Sequence, residues 1–163
     1  MKTLIVYASK HGTTKKVASA IAEKLSGQTD IVNLRNKEKP DLSAYDQLII
    51  GGSIHAGGIQ EKVRRFCKAN TVLLLQKPLA LYISCMDDEK AQEQIENAYP
   101  QVLRNHAISI KHVGGAFLFD KMTFLERMIV KKITGISTSV NKINEDNINE
   151  LINEINNSHH ETE

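Results

Sequence analysis

Short continuous apolar segments alternate with longer amphipathic segments along most of this 163-residue chain. The short segments are apolar throughout and rich in β-branched residues, which is typical of strands covered on both faces. We predict such strands at residues 3–8, 29–34, 45–53, 77–85 and 106–118. Strands that alternate with helices form βαβ units with right-handed crossovers, and successive units build a parallel sheet. The pattern therefore predicts a doubly wound α/β fold, with a five-stranded parallel sheet and helices on both faces.

The amphipathic segments predict the helices. After the first strand, apolar residues recur at helical spacing as far as Leu25, and Gly27 provides a stop. Further helices are predicted at residues 60–70, 87–99, 124–134 and 145–156. No internal repeat or linker divides the chain, so we interpret residues 1–157 as one domain and residues 158–163 as a disordered tail.

Composition narrows the classes of partner. The net charge is +2 and no block of Lys and Arg is interleaved with aromatic residues, so we expect no nucleic acid partner. Cys67 and Cys85 lack the CxxC spacing of a zinc site, and we predict no metal. The apolar run at the amino terminus is shorter than a signal peptide needs, and no run reaches the ~18 residues of a membrane span. We therefore expect a cytoplasmic protein.

The junction between the first strand and the first helix carries the clearest chemical signal. Ser9, Gly12, Thr13 and Thr14 bring hydroxyl groups and a tight turn to the start of that helix. The first N–H groups of a helix have no internal partner, and the helix dipole adds partial positive charge. An alternative is that Ser9 or Thr13 only caps the helix, but this explains one hydroxyl and not the cluster. We therefore predict that the loop binds an anion.

The sequence of this loop also limits which anion it binds. The loop has neither the GxxxxGK[ST] nor the GxGxxG motif, which disfavours a Walker A nucleotide site and a Rossmann dinucleotide site. No carboxylate that would bind Mg²⁺ lies nearby in the sequence. A phosphate held by hydroxyl groups and backbone suits a monoester such as that of FMN.

Residues 5–21, IVYASKHGTTKKVASAI, resemble the flavodoxin signature. The resemblance implies a flavodoxin-like fold with strand order 2-1-3-4-5 that binds one FMN. It implies that the phosphate is held by Ser9, Lys10, His11, Gly12, Thr13 and Thr14. It also implies two loops beside the isoalloxazine ring, formed by Ser53, Ile54, His55, Ala56, Gly57, Ser84, Cys85, Met86 and Asp87.

Two longer segments are similar to the flavodoxin-like, menaquinone-dependent protoporphyrinogen dehydrogenases. These segments are IIGGSIHAGG at residues 49–58 and GGAFLFDKMTFLERMIVKKITG at residues 114–135. Proteins of that branch carry an IGxSIxxG loop and an added basic, apolar segment after the fifth strand. The similarity implies oxidation of protoporphyrinogen IX, or of a similar bulky apolar substrate, with a quinone as the acceptor. Two alternatives stay open: a one-electron carrier between protein partners, and a binding module without turnover.

Departures from the usual flavodoxin pattern bear on these alternatives. Flavodoxins sandwich the ring between aromatic residues, whereas this chain has no Trp and neither ring loop has a Tyr or Phe. His55 and Met86 are the nearest substitutes, so we expect one edge of the ring to stay open. Electron-carrier flavodoxins are strongly acidic and this chain is not, which favours the dehydrogenase. The absence of an obvious catalytic acid or base keeps the carrier open.

The roles of four residues of the predicted site are each open to two interpretations. His11 adds charge near the phosphate or is solvated, and His55 lies at the flavin edge or faces water. Cys85 is a reactive thiol or a small packing residue. Asp87 forms a hydrogen bond with the flavin or caps a helix.

The added segment at about 119–135 combines apolar and basic residues. Its helix, predicted from about Thr123, carries an apolar stripe bordered by positive charge. The stripe is Phe124, Leu125, Met128, Ile129 and Ile133, and the basic residues are Lys121, Arg127, Lys131 and Lys132. One interpretation is a crossover helix that packs on the sheet. The other is contact with the substrate or with an anionic membrane surface, which would place the protein at the inner face of the cell membrane.

Overall fold

The computed structural model describes residues 1–36 and 39–158. Its strands are β1 (Lys2–Ala8), β2 (Gln28–Asn33), β3 (Gln47–His55), β4 (Gly58–Ile59), β5 (Leu79–Ser84), β6 (Ser109–His112), β7 (Gly114–Phe117) and β8 (Val140–Ile143). Its α-helices are α1 (Thr13–Lys24), α2 (Glu61–Ala69), α3 (Thr71–Leu74), α4 (Ala91–Ala98), α5 (Gln101–His106), α6 (Phe124–Thr134) and α7 (Glu145–Asn157).

Five parallel strands form the central sheet in the order β2-β1-β3-β5-β6. Counted among the parallel strands alone, this is the order 2-1-3-4-5, so the predicted topology is confirmed. The strand order reverses at β1, which lies between β2 and β3. Ligands of such sheets bind beyond the carboxyl ends of the strands, where the order reverses. The loops after β1, β3 and β5 are therefore the place to look for a site.

Two apolar layers cover the sheet, one on each face. Because successive side chains of a strand point to opposite faces, Leu4 of β1 packs into one layer and Ile5 into the other. The first layer includes Cys67 of α2. The second includes Ile21 of α1 and Ile148 of α7. Helices therefore cover both faces, as predicted.

The prediction of one strand over residues 106–118 is wrong. His106 ends α5, β6 is the parallel edge strand, and β7 leaves the sheet to pair antiparallel with β8. Gly114 allows this break because its φ is +72°, and a Cβ there would lie 1.9 Å from the carbonyl oxygen of Lys142.

Other boundaries also differ from the prediction. The helix predicted from residue 87 begins at Ala91, because Asp87 Oδ1 accepts a hydrogen bond from the N–H of Lys90 and holds a turn before it. The sequence patterns did not predict α3, α5, β4 or β8. Ser158 forms a turn after α7, and the rest of the predicted tail, residues 159–163, lies outside the described residues. The single domain over residues 1–157 stays a prediction.

The helix predicted from about Thr123 is confirmed as α6, but it lies on the surface. Thr123 and Glu126 form a capping box at its start, and Gly135, with φ of +74°, ends it. None of its residues is buried, and Phe124 and Ile133 are 78% and 77% exposed. The interpretation as a crossover helix packed on the sheet is therefore wrong. The β7–β8 ribbon carries α6 away from the core, and α7 covers that face of the sheet instead.

Candidate functional site

A cleft of about 470 Å³ opens at the carboxyl ends of β1, β3 and β5. Twelve of the fifteen predicted site residues line it: Ser9, His11, Thr13, Ser53, Ile54, His55, Ala56, Gly57, Ser84, Cys85, Met86 and Asp87. Three separate loops meet here because parallel strands end at the same edge of the sheet. Lys10, Gly12 and Thr14 do not line the cleft, although Lys10 borders an adjoining cleft of about 380 Å³ together with His11 and His55.

The loop after β1 leads into a helix start that no side chain caps. Gly12 is the N-cap residue of α1 with φ of +94°, and no side-chain hydrogen bond caps this helix. Ser9 Oγ accepts a hydrogen bond of 2.9 Å from the N–H of Gly12, so neither Ser9 nor Thr13 plays the simple capping role. Thr14 is buried, and its Oγ1 has no hydrogen-bond partner within residues 1–36 and 39–158. An unpartnered buried hydroxyl at an uncapped helix start fits an anion that supplies the missing acceptor.

Lys10 and His11 join this loop to α6. Lys10 Nζ forms an ion pair with Glu126, and His11 Nε2 lies 3.5 Å from Glu126 Oε1. His11 Nδ1 also lies 3.1 Å from the carbonyl oxygen of Lys121. Hydrogen bonds from Lys10 and from the backbone of Thr123 lower the pKa of the Glu126 carboxyl to about 2. Glu126 is therefore negatively charged near neutral pH, and His11 is held against α6 rather than solvated.

The loop after β3 is a tight hairpin with strained backbone at its tip. β3 and β4 pair antiparallel through Ile54 with Ile59 and His55 with Gly58. Ala56 and Gly57 connect them with φ of +49° and +79°. Two consecutive positive φ angles are typical of a type I′ turn, and alanine pays a steric cost in that conformation.

His55 is anchored beside this hairpin. Its Nε2 lies 3.0 Å from Ser53 Oγ and 3.3 Å from Gln60 Nε2. Burial, followed by the positive charges of His11 and Lys10, lowers the pKa of His55 below its usual 6.5. The imidazole is therefore neutral at pH 7 where it borders the cleft.

The loop after β5 is supported from behind by β7. Cys85 N–H and Ser84 Oγ each donate a 3.0 Å hydrogen bond to the carbonyl oxygen of Gly114. His112 Nε2 lies 3.0 Å from the carbonyl oxygen of Cys85. At Gly115 there is no room for a side chain, because a Cβ would lie 2.7 Å from the backbone carbon and oxygen of Cys85. The position of this loop therefore depends on close backbone contact with β7.

Cys85 and Asp87 show structural contacts in this loop. Burial raises the pKa of the Cys85 thiol to about 11, so it is neutral at pH 7, which favours packing over reactivity. Asp87 Oδ1 accepts a hydrogen bond from the N–H of Lys90 in the turn before α4, so it does not cap that helix, and its contact with the flavin stays a prediction.

Sequence reasoning missed the remaining walls of the cleft. Phe117 of β7 supplies an aromatic side chain that neither ring loop has, because residues 114–117 were assigned to the sheet. Ile129 and Ile133 belong to the apolar stripe for which contact with the substrate was one interpretation. The lining residues outside every prediction are Gln94, Gly115, Ala116, Met122, Glu126, Val130 and Thr134. One local feature of the sequence could have indicated that the chain leaves the sheet here. It is the Gly114–Gly115 pair, because two consecutive glycines are unusual inside a strand.

Comparison with known proteins agrees with this geometry. The family model described as a flavodoxin domain matches residues 4–142. The protoporphyrinogen IX dehydrogenase [quinone] of Escherichia coli K12 is 27% identical over 146 residues, covering 84% of this chain and 81% of that protein. The protein of the same name from Leishmania major is 25% identical over 154 residues, covering 86% of this chain and 67% of that protein. The resemblance predicted from the sequence is confirmed.

Solved structures share the fold at low sequence identity. A Streptococcus pneumoniae TIGR4 flavodoxin has a TM-score of 0.54 and 15% identity, and the match covers 99% of each chain. Rubredoxin oxygen:oxidoreductase of Desulfovibrio gigas has a TM-score of 0.58 and 14% identity over 95% of this chain, but the match spans only 34% of that longer protein. Within the described residues, no helix is both long and apolar enough to cross a membrane.

Proposed function

The chain belongs to the flavodoxin family, and we propose that it is an FMN-dependent oxidoreductase that oxidises a protoporphyrinogen-like substrate and passes the electrons to a quinone. The observation that carries this proposal is the composition of the cleft. Three loops of the flavodoxin type form one side, and Ile129, Val130 and Ile133 of α6 line the other. A bulky apolar substrate needs such an apolar wall beside the cofactor. The names of the relatives from Escherichia coli and Leishmania major support this choice of substrate and acceptor.

The α1 end of the cleft fits the phosphate monoester of FMN. Thr14 Oγ1 would donate to it, the first amides of the uncapped helix α1 would bind it, and Lys10 and His11 would add positive charge. When bound, FMN supplies the transfer of hydride or of single electrons. The chain's own residues hold and orient the ring through the hairpin at residues 53–57 and the loop at residues 84–87.

The hairpin tip is the part of this ring site with conformational freedom. Ala56 and Gly57 both have positive φ, and a Cβ placed on Gly57 would meet no atom within 4 Å. Rotation of the peptide between them exchanges two turn types and leaves the β3–β4 pairing in place. We propose that this peptide adjusts to the redox state of the bound ring.

A one-electron carrier between protein partners is the second candidate. Exposure of Ala56 and Gly57 at the hairpin tip favours it, because an exposed edge of the ring would be open to a redox protein. In this case the chain would bind no porphyrinogen, and α6 would contact the partner.

Anaerobic mixing separates the two candidates. The FMN-loaded protein is mixed with protoporphyrinogen IX and a soluble menaquinone analogue, and porphyrin fluorescence is followed against free FMN at equal concentration. The dehydrogenase proposal expects a rate that rises with quinone concentration and exceeds that of free FMN. A rate equal to free FMN, combined with rapid reduction by a ferredoxin-type reductase, would instead establish the carrier.

Replacement of Thr14 tests the phosphate site. We expect Thr14→Val to weaken FMN binding by a factor on the order of ten, the effect of losing one hydrogen bond to a charged group. Riboflavin, which lacks the phosphate, should bind both proteins equally, as measured by quenching of flavin fluorescence. Thr29→Val is a matched control, because Thr29 Oγ1 is also buried without a partner in the described part of the chain but lies on β2. Riboflavin binding as tight as FMN binding in the unmodified protein would show that the loop holds no phosphate.

We also propose that α6 contacts an anionic membrane surface. Its exposed apolar residues and its bordering lysines have the character of a helix that lies on a membrane. On the side of α6 away from the ring loops, a groove of about 1050 Å³ is lined by Phe124, Met128, Arg127, Lys131 and Lys132 among others. This contact would keep the protein at the inner face of the cell membrane, close to apolar quinones.

A further inference from the structure

Glu126 is the acidic residue through which α6 is attached to the loop after β1. It contacts both Lys10 and His11, while its own backbone and side chain complete the capping box with Thr123. The carbonyl of Lys121, just before α6, adds the contact to His11 Nδ1. The side chains of Glu126 and His11 are 25% and 14% exposed, so their contact is partly shielded from water. The contacts therefore fix the start of α6 against the loop.

The same two side chains, Lys10 and His11, are those assigned to the phosphate of FMN. A phosphate monoester carries a charge of about −1.5 to −2 at pH 7 and offers three acceptor oxygens. Glu126 offers one negative charge, and it retains that charge at neutral pH because its pKa is about 2. Phosphate at the start of α1 also gains from the helix amides, because no side chain caps that helix. Two anions thus share Lys10 and His11, and the phosphate is the stronger competitor.

We propose that Glu126 is a latch that holds α6 on the loop after β1 and that the phosphate of FMN weakens this latch by drawing Lys10 and His11 away from it. The inference rests on the proposed function, because it requires FMN in this cleft. Ile129, Val130 and Ile133, which form the apolar wall, follow Glu126 on the same helix. Seating of the cofactor therefore loosens the wall on the side where an apolar substrate enters. The phosphate of FMN regulates access as well as anchoring the ring.

The affinity ratio of riboflavin to FMN tests the competition. Glu126→Gln removes the competing charge but keeps the capping box, because glutamine serves at this position as glutamate does. We expect FMN to bind about three- to five-fold more tightly to Glu126→Gln, the effect of one partly exposed charge interaction. Riboflavin affinity should stay the same. The dissociation constant of riboflavin divided by that of FMN therefore rises by the same factor.

Hydrogen exchange provides a readout apart from affinity. In the unmodified protein, amides of α6 should exchange about three-fold faster with saturating FMN than with saturating riboflavin, because only FMN carries the phosphate that weakens one partly exposed charge interaction. In Glu126→Gln the two complexes should exchange at equal rates. Thr123→Ala is the matched control: it breaks the capping box without changing charge, so exchange in α6 rises with either flavin while the affinity ratio stays unchanged.

The outcomes distinguish the latch from the proposed function. A preference for FMN over riboflavin that Glu126→Gln leaves unchanged would overturn the latch and leave the phosphate site standing. Equal exchange of α6 with both flavins in the unmodified protein would overturn it as well. No preference for FMN in the unmodified protein would overturn the phosphate site and the latch together.

Discussion

Replacing Gly115 with alanine is expected to weaken FMN binding by a factor on the order of one hundred. A Cβ at this position would lie 2.7 Å from the carbonyl carbon and oxygen of Cys85 and 3.0 Å from the N–H nitrogen of Met86. These neighbours are backbone atoms in the loop after β5, so they cannot rotate aside as a side chain does. The loop must move several tenths of an ångström, which takes the proposed ring contacts at residues 84–87 out of position. Fluorescence titration with FMN measures the loss.

Gly58→Ala is the matched control for this effect. Gly58 lies in β4 near the same cleft, but a Cβ there would meet no atom within 4 Å, so FMN binding should be unchanged. Thermal unfolding separates loop displacement from loss of the fold, because Gly115→Ala should still unfold cooperatively. If Gly115→Ala folded normally and bound FMN as well as the control, the loop after β5 would not form the ring site.

The loop after β1 could be predicted from the sequence because its signal is local. Ser9, Gly12 and Thr14 follow a buried strand within six residues, and both the positive φ at Gly12 and the helix start depend on near neighbours. The strand order could be predicted because alternating strands and helices allow few topologies. The three-loop cleft then followed from where parallel strands end.

The β7–β8 ribbon could not be predicted in the same way. Its pairing joins Gly114 to Ile143 and Phe117 to Val140, residues more than twenty positions apart, and no short pattern encodes that partnership. An apolar segment that continues past His112 has the same sequence pattern whether its strand stays in the sheet or leaves it. Phe117 was missed for this reason, and with it the aromatic wall of the cleft.

The position of α6 is the second feature that sequence patterns could not predict. Helical spacing predicts the helix, but an apolar stripe is as compatible with a helix packed on the core as with a helix that faces another surface. The ribbon decides between them, because it holds α6 beside the cleft and leaves Phe124, Leu125 and Met128 more than half exposed. Such exposed apolar area on one helix marks a contact surface.

Reversing two charges on α6 is expected to reduce binding to anionic vesicles at least about thirty-fold. Lys131 and Lys132 are both exposed at the end of α6, and each basic residue near an anionic surface contributes roughly 1 kcal/mol at moderate ionic strength. Removing both therefore costs roughly 2 kcal/mol, and the introduced glutamates add repulsion. The measurement is flotation of the FMN-loaded protein and of Lys131→Glu/Lys132→Glu with phosphatidylglycerol-containing vesicles in low salt.

A change of net charge alone must be separated from this local effect. Lys16→Glu/Lys68→Glu makes the same change of charge on exposed residues of α1 and α2 and should bind vesicles nearly as well as the unmodified protein. Phe124→Ser should weaken binding without any change of charge, because it removes apolar area that would enter the lipid boundary. Neutral vesicles should bind all four proteins poorly. Equal loss in both double variants would assign the attraction to overall charge, and no binding of the unmodified protein in low salt would leave α6 as a wall of the cleft alone.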